Sequence, residues 1–129
     1  MSWGQAGAGE KWLFKVDQTG AIRISVGGGY IIGSTSVIDN AWHHVAAVLY
    51  DDGMPDAEEI KLYVDGTEED ISDYSSYQIN TSSAANVCIG AFSGDGYFTG
   101  RIDDVRIYNR ALRAEEIQEL YQARDTSNS

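Results

Sequence analysis

Short segments in which apolar and polar residues alternate recur along most of this chain, and turn signals separate them. In AIRISV (21–26), Ile22, Ile24 and Val26 alternate with Arg23 and Ser25. In EIKLYV (59–64), Ile60, Leu62 and Val64 alternate with Lys61 and Tyr63. A period of two sends the two sets to opposite faces of a strand, so one set can be buried and the other left outside. KWLFKV (11–16) is a further strand, joined to AIRISV as a hairpin through DQTG. YIIGSTSV gives a short strand after GGG at 27–29. WHHVAAVLY (42–50) carries few charges, which predicts a central strand. The Asp65–Gly66 pair is a tight-turn signal. VCIGAF (87–92) and YFTGRIDDVRIYN (97–109) bring the set to about eight strands. Between them DISDYSSYQINTSSAAN (70–86) has no period and is expected to be a long surface loop.

The period then changes. Leu112, Ile117, Leu120 and Tyr121 fit one face of a helix, with Glu115, Glu116, Gln118 and Glu119 outside. Glu115 and Glu116 suit the positive end of that helix, whose apolar stripe is expected near a sheet edge. DTSNS is a fraying tail. The pattern predicts an all-β fold: an antiparallel β-sandwich, or jelly roll, with one short C-terminal helix. It fills one domain over 1–129, with the core at about 11–122 and the tail at 123–129.

Composition narrows the function. The net charge of −11 repels phosphate backbones, which argues against a nucleic-acid partner. Cys88 is the single cysteine, so no internal disulfide can form; within NVCIGAF it reads as a small buried hydrophobe. No apolar run approaches the ~20 residues of a membrane span, so membrane insertion is not expected. The opening MSWGQAGAGEKW lacks the basic start and apolar stretch of a signal peptide.

Two kinds of side chain are candidates for a site. Tyr30 after GGG, Tyr74 and Tyr77 in the Ser-rich segment, and Tyr97 after SGDG offer apolar rings with polar tips, and Asp95 offers a carboxylate beside Tyr97. Gathered at one rim, such groups could stack on a sugar ring and bond its hydroxyls. Alternatively, each tyrosine covers its own loop. In the acidic loop YDDGMPDAEE, Asp51, Asp52 and Asp56 offer oxygens of the kind calcium takes; a solvent-facing loop is the other reading. In RIDDVRIY, Asp103 shares a face with Val105 and Ile107, so it points to the core edge, whereas Asp104 does not. A carboxylate there needs donors or a cation. His43 and His44 are strand neighbours that point to opposite faces and cannot grip one metal together. A structural histidine donating to a backbone carbonyl is expected, with Trp42 packed on His44.

Two segments carry a family resemblance. AWHHVAAVLYDDG followed by IKLYVDGTEE, and then FTGRIDDVRIYNRALRAEEIQELY, together resemble the laminin G-like, or concanavalin A-like, lectin/glucanase jelly-roll superfamily. They look closest to bacterial laminin-G-like domains appended to large secreted and surface proteins. The resemblance implies an extracellular or cell-surface module. It implies a calcium ion at Asp103 with help from loops, beside the alternative of a structural acceptor. Such domains usually begin with about 40 further residues of strand, and a sandwich without them would leave edges and apolar surface that a homo-oligomer could cover.

Glucanases of this architecture carry an E-x-D-x-E strand, which places an acid and a nucleophile ~5 Å apart. No such pattern occurs here, nor a G-x-S-x-G elbow. The expected function is a non-catalytic module binding carbohydrate or glycoprotein, assisted by calcium. The alternative is a structural or adhesive oligomerising domain with no small ligand.

Overall fold

The computed structural model describes residues 2–3, 12–26, 29–49, 56–76, 101–102, 105–106 and 111–127. They form two antiparallel sheets and a terminal helix. Sheet one runs in the order β1 (Ser2–Trp3), β2 (Trp12–Val16), β3 (Ile22–Ser25), β4 (Tyr30–Ile32), β8 (Asp73–Ser75). Sheet two runs β5 (Val45–Leu49), β6 (Ile60–Val64), β7 (Thr67–Glu68). The helix α1 spans Ala114–Ser127. The family-level expectation of a mostly β sandwich closed by one short helix is what the chain adopts.

Alternation builds the core between the sheets. Phe14 stands opposite Ile24, and Ile24 opposite Ile31, so these side chains share the inner face of sheet one. They meet Ile60, Leu62 and Val64 of β6, together with Ala57 from a one-turn 3-10 helix at Ala57–Glu59. Ile24 and Leu62 are fully buried.

The opposite face of sheet two is buried as well. Tyr63 of β6 and Val48 of β5 pack against Leu112 and Ile117, with Ala46 and Leu120 at the margin. The helix therefore lies over this face of the sheet, alongside its end strand β7, and covers the large Tyr63 ring. This cover also explains the uncharged β5. Among the described residues it stands at one end of its sheet, not at the centre. Ala47 and Leu49 face the sandwich core, whereas Ala46 and Val48 face the helix. Both faces are packed on apolar neighbours over 46–49, so neither carries a charge, while Val45 at the start of the strand is exposed.

Local chemistry sets the turns. Asp17 receives the Thr19 backbone N–H at 3.2 Å, and Gly20 closes the β2–β3 turn at φ 92°. Asp65 and Gly66 have φ of 51° and 81°, the double left-handed pair of a tight hairpin. Helix α1 starts with the Glu116 carboxylate accepting the Arg113 N–H at 3.1 Å, half of a capping box.

Two departures from the alternation follow from long-range pairing. Asp73–Ser75, within the segment expected to be loop, is a strand because β4 offers it a ladder at Tyr30↔Ser75 and Ile32↔Asp73. Residues 101–102 and 105–106 belong to neither sheet, and Val105, assigned to a buried face, is 39% exposed. Asp103, whose facing was read from the same pattern, lies outside the described residues.

Candidate functional site

The outer face of sheet one carries a linked set of polar side chains. Arg23 and Ser25 of β3 point outward by register, opposite Ile32 and Tyr30 of β4. The Arg23 guanidinium lies 4.5 Å from the centre of the Tyr30 ring, a cation–π stack. Its Nε donates to Ser25 Oγ at 2.8 Å, and its Nη1 donates to Asp17 Oδ1 at 3.2 Å. The remaining guanidinium donors have no bond among the described residues. The Tyr30 hydroxyl donates to Asp73 Oδ2 at 3.1 Å across the β4–β8 ladder. The five residues thus hold one another from three strands and a turn.

Electrostatics fixes the protonation of this set. The Thr19 backbone N–H, the Thr19 hydroxyl and Arg23 hold the Asp17 carboxyl below the usual carboxylate range, against its burial. The hydrogen bond to Asp73 raises the Tyr30 phenol, so it keeps its proton as a donor. What results is a fixed cation, a fixed anion and a phenol on one sheet face, a set suited to hydrogen-bonding recognition.

A second cluster joins the two ends of the β5–β6 hairpin. His43 Nδ1 lies 2.8 Å from Asp65 Oδ2, and its Nε2 lies 2.8 Å from Asp39 Oδ1. Asp65 Oδ1 also accepts the His44 N–H at 2.9 Å. The bonds to Asp65, then to Asp39, raise His43 above the ordinary histidine value of 6.5, and Asp39 is lowered chiefly by the same bond to His43. The partners of His43 are therefore two carboxylates, not a backbone carbonyl. His44 does turn the other way, as adjacency on a strand requires. Its ring neighbour is Tyr121 of α1, at 6.2 Å between centres, whereas Trp42 is 53% exposed.

Of the tyrosines picked from the sequence, Tyr30 and Tyr74 are described. Tyr74 stands opposite Ile31, and Tyr30 opposite Ser75, so the two rings leave sheet one on opposite faces. Tyr77, Tyr97 and Asp95 lie outside the described residues, as do Asp51, Asp52 and Asp103. Asp56 is described and accepts the Ser76 hydroxyl at 2.6 Å. Among the described residues, no three metal-type ligands converge. Reading the sequence missed Arg23, Asp17 and Asp73. The signal for Arg23 was the outward set of AIRISV, in which an arginine sits one residue from each buried isoleucine; Asp17 and Asp73 lie outside that segment.

A laminin G-type model of the Concanavalin A-like lectin/glucanases superfamily matches residues 1–118, and the chain belongs to this superfamily. Among solved structures, it is similar to an S-layer domain-containing protein from Clostridium thermocellum. The identity is 22% and the TM-score 0.47, over 94% of this chain and 61% of that one. No curated protein matches. Among the described residues, no helix is long and apolar enough to cross a membrane.

Proposed function

We propose that this domain is a non-catalytic binding module of a secreted or surface protein, and that it recognises carbohydrate or glycoprotein. The observation that carries the reading is the Arg23–Tyr30–Asp73 set on the outer face of sheet one, within a lectin-type superfamily. Sugars present many hydroxyls and few charges, so a site for them needs fixed donors and acceptors with ordered rings. Arg23 supplies donors, Asp17 and Asp73 supply acceptors, and Tyr30 supplies a ring edge held by both neighbours. The reading extends to Tyr77, Asp95 and Tyr97 as further sugar contacts, with Tyr74 on the opposite face of sheet one, and to calcium at Asp103 or at Asp51 and Asp52.

A glycan array printed with neutral and acidic oligosaccharides, run with and without chelator, tests this. Saturable signals support the reading, and their loss in chelator supports the calcium part. A flat array in both buffers overturns it.

A second reading has its own observation: Ile38, Trp42, Val45, Ile71 and Ile102 are large apolar residues between 37% and 68% exposed. Surface of this kind suits a domain that assembles with copies of itself or with other modules. Light scattering across a concentration series tests it; a monomer at every concentration removes the self-assembly form.

A further inference from the structure

The His43 imidazole contacts two carboxylates, each at 2.8 Å and each from a different part of the chain. A neutral imidazole has one N–H, and only the imidazolium has two. Both contacts can be hydrogen bonds only while the ring is doubly protonated; with one proton gone, a ring lone pair faces a carboxylate oxygen. We propose that His43 is a pH-operated latch. As imidazolium it fastens the 39–42 segment to the β6–β7 turn, and on losing the Nε2 proton to solvent it lets that segment go.

The two sides of the latch are unequal, which sets the direction of release. Asp65 is anchored independently: its Oδ1 accepts the His44 N–H, and its own N–H donates to the His44 carbonyl at 2.7 Å. Among the described residues, Asp39 is held besides His43 by the Ala41 N–H and its own backbone, and its side chain is 53% exposed. The neutral ring therefore keeps its proton on Nδ1 toward Asp65, and Asp39 is the partner lost. Asn40 at φ 62° lies between the latch and Trp42, so the freed segment relaxes from a left-handed conformation. The charged groups facing His43 are Asp39 from its own loop and Asp65 from the turn. Helix α1 brings Gln118 and Tyr121 against Gly66 of that turn, and His44 faces Tyr121. The raised proton affinity of His43 agrees with this arrangement. The latch presents Trp42 and Ile38, which are 53% and 68% exposed, so its state governs how an apolar tip is displayed.

NMR of the intact chain from about pH 5 to about pH 9 tests this. The signals followed are the His43 ring and the backbone order of residues 39–42. The latch predicts a His43 midpoint above 6.5, with the order of 39–42 falling as the ring loses its proton. Asp39→Asn, at an exposed site, lowers the midpoint by about 0.5 pH unit and leaves 39–42 loose at every pH. His43→Gln, with a neutral donor, is loose even at the acid end. A His43 midpoint at or below 6.5 overturns the latch, and so does order in 39–42 that is constant through the titration.

Discussion

At the scale of single residues, polar contacts decide how this surface is organised. Asp17 is a local case, with a side chain only 7% exposed that accepts from Thr19 twice and from Arg23. Asp17→Ala leaves Arg23 and the Thr19 amide without their acceptor and should cost about 2 kcal/mol in urea unfolding. Its lowered proton affinity gives stability that is present above about pH 3.8 and lost as the pH falls through the folded value; the variant should lose that part of the acid slope. His43 works in the other direction. A raised folded value gives stability that is complete below about 6.5 and lost as the pH rises through it. Unfolding midpoints should therefore decline on the alkaline side in the wild type and decline less in Asp39→Asn, which keeps the His43–Asp65 bond. Sequence reasoning could see the Asp65–Gly66 turn, whose chemistry is local. It could not see His43 with Asp65, 22 positions apart, or Glu69 accepting the Thr35 N–H and hydroxyl from 34 positions away. The fold alone brings such partners together.

At the scale of elements, β6 does the most to hold the layers together, because its two faces enter two different cores. Its alternation was legible in EIKLYV, and the split of Ile60, Leu62 and Val64 from Tyr63 is what the structure shows. The helix face was legible in the same way: Leu112 and Ile117 are buried, and Leu120 and Tyr121 half-buried. Asp73–Ser75 was not legible, since a three-residue strand takes its stability from β4 and carries no period of its own. Ile117, 1% exposed, tests the seal between α1 and sheet two: Ile117→Ala should cost about 2–4 kcal/mol in chemical unfolding. Gly66 tests the contact from the other side. A Cβ there would stand 3.2 Å from the Tyr121 ring at φ 81°. Gly66→Ala should therefore cost about 1–3 kcal/mol, more than an exposed turn substitution.

At the scale of the whole molecule, three layers stand in sequence: sheet one, sheet two and α1. Among the described residues, sheet two is covered on both sides, whereas the outer face of sheet one carries the Arg23, Tyr30 and Asp73 side chains. The layers were legible from periodicity because burying alternating strands needs a second layer. The Arg23–Tyr30–Asp73 set was not legible, because its members reach one another only across the β3–β4–β8 ladder. The most direct measurement is a glycan array comparing the wild type with Tyr30→Ala and with Arg23→Gln, both outward-facing changes checked for unaltered unfolding midpoints. Recognition on this face predicts saturable glycan signals in the wild type that fall about tenfold or more in each variant. Signals equally strong in all three proteins would contradict it, as would release of sugar from the printed glycans.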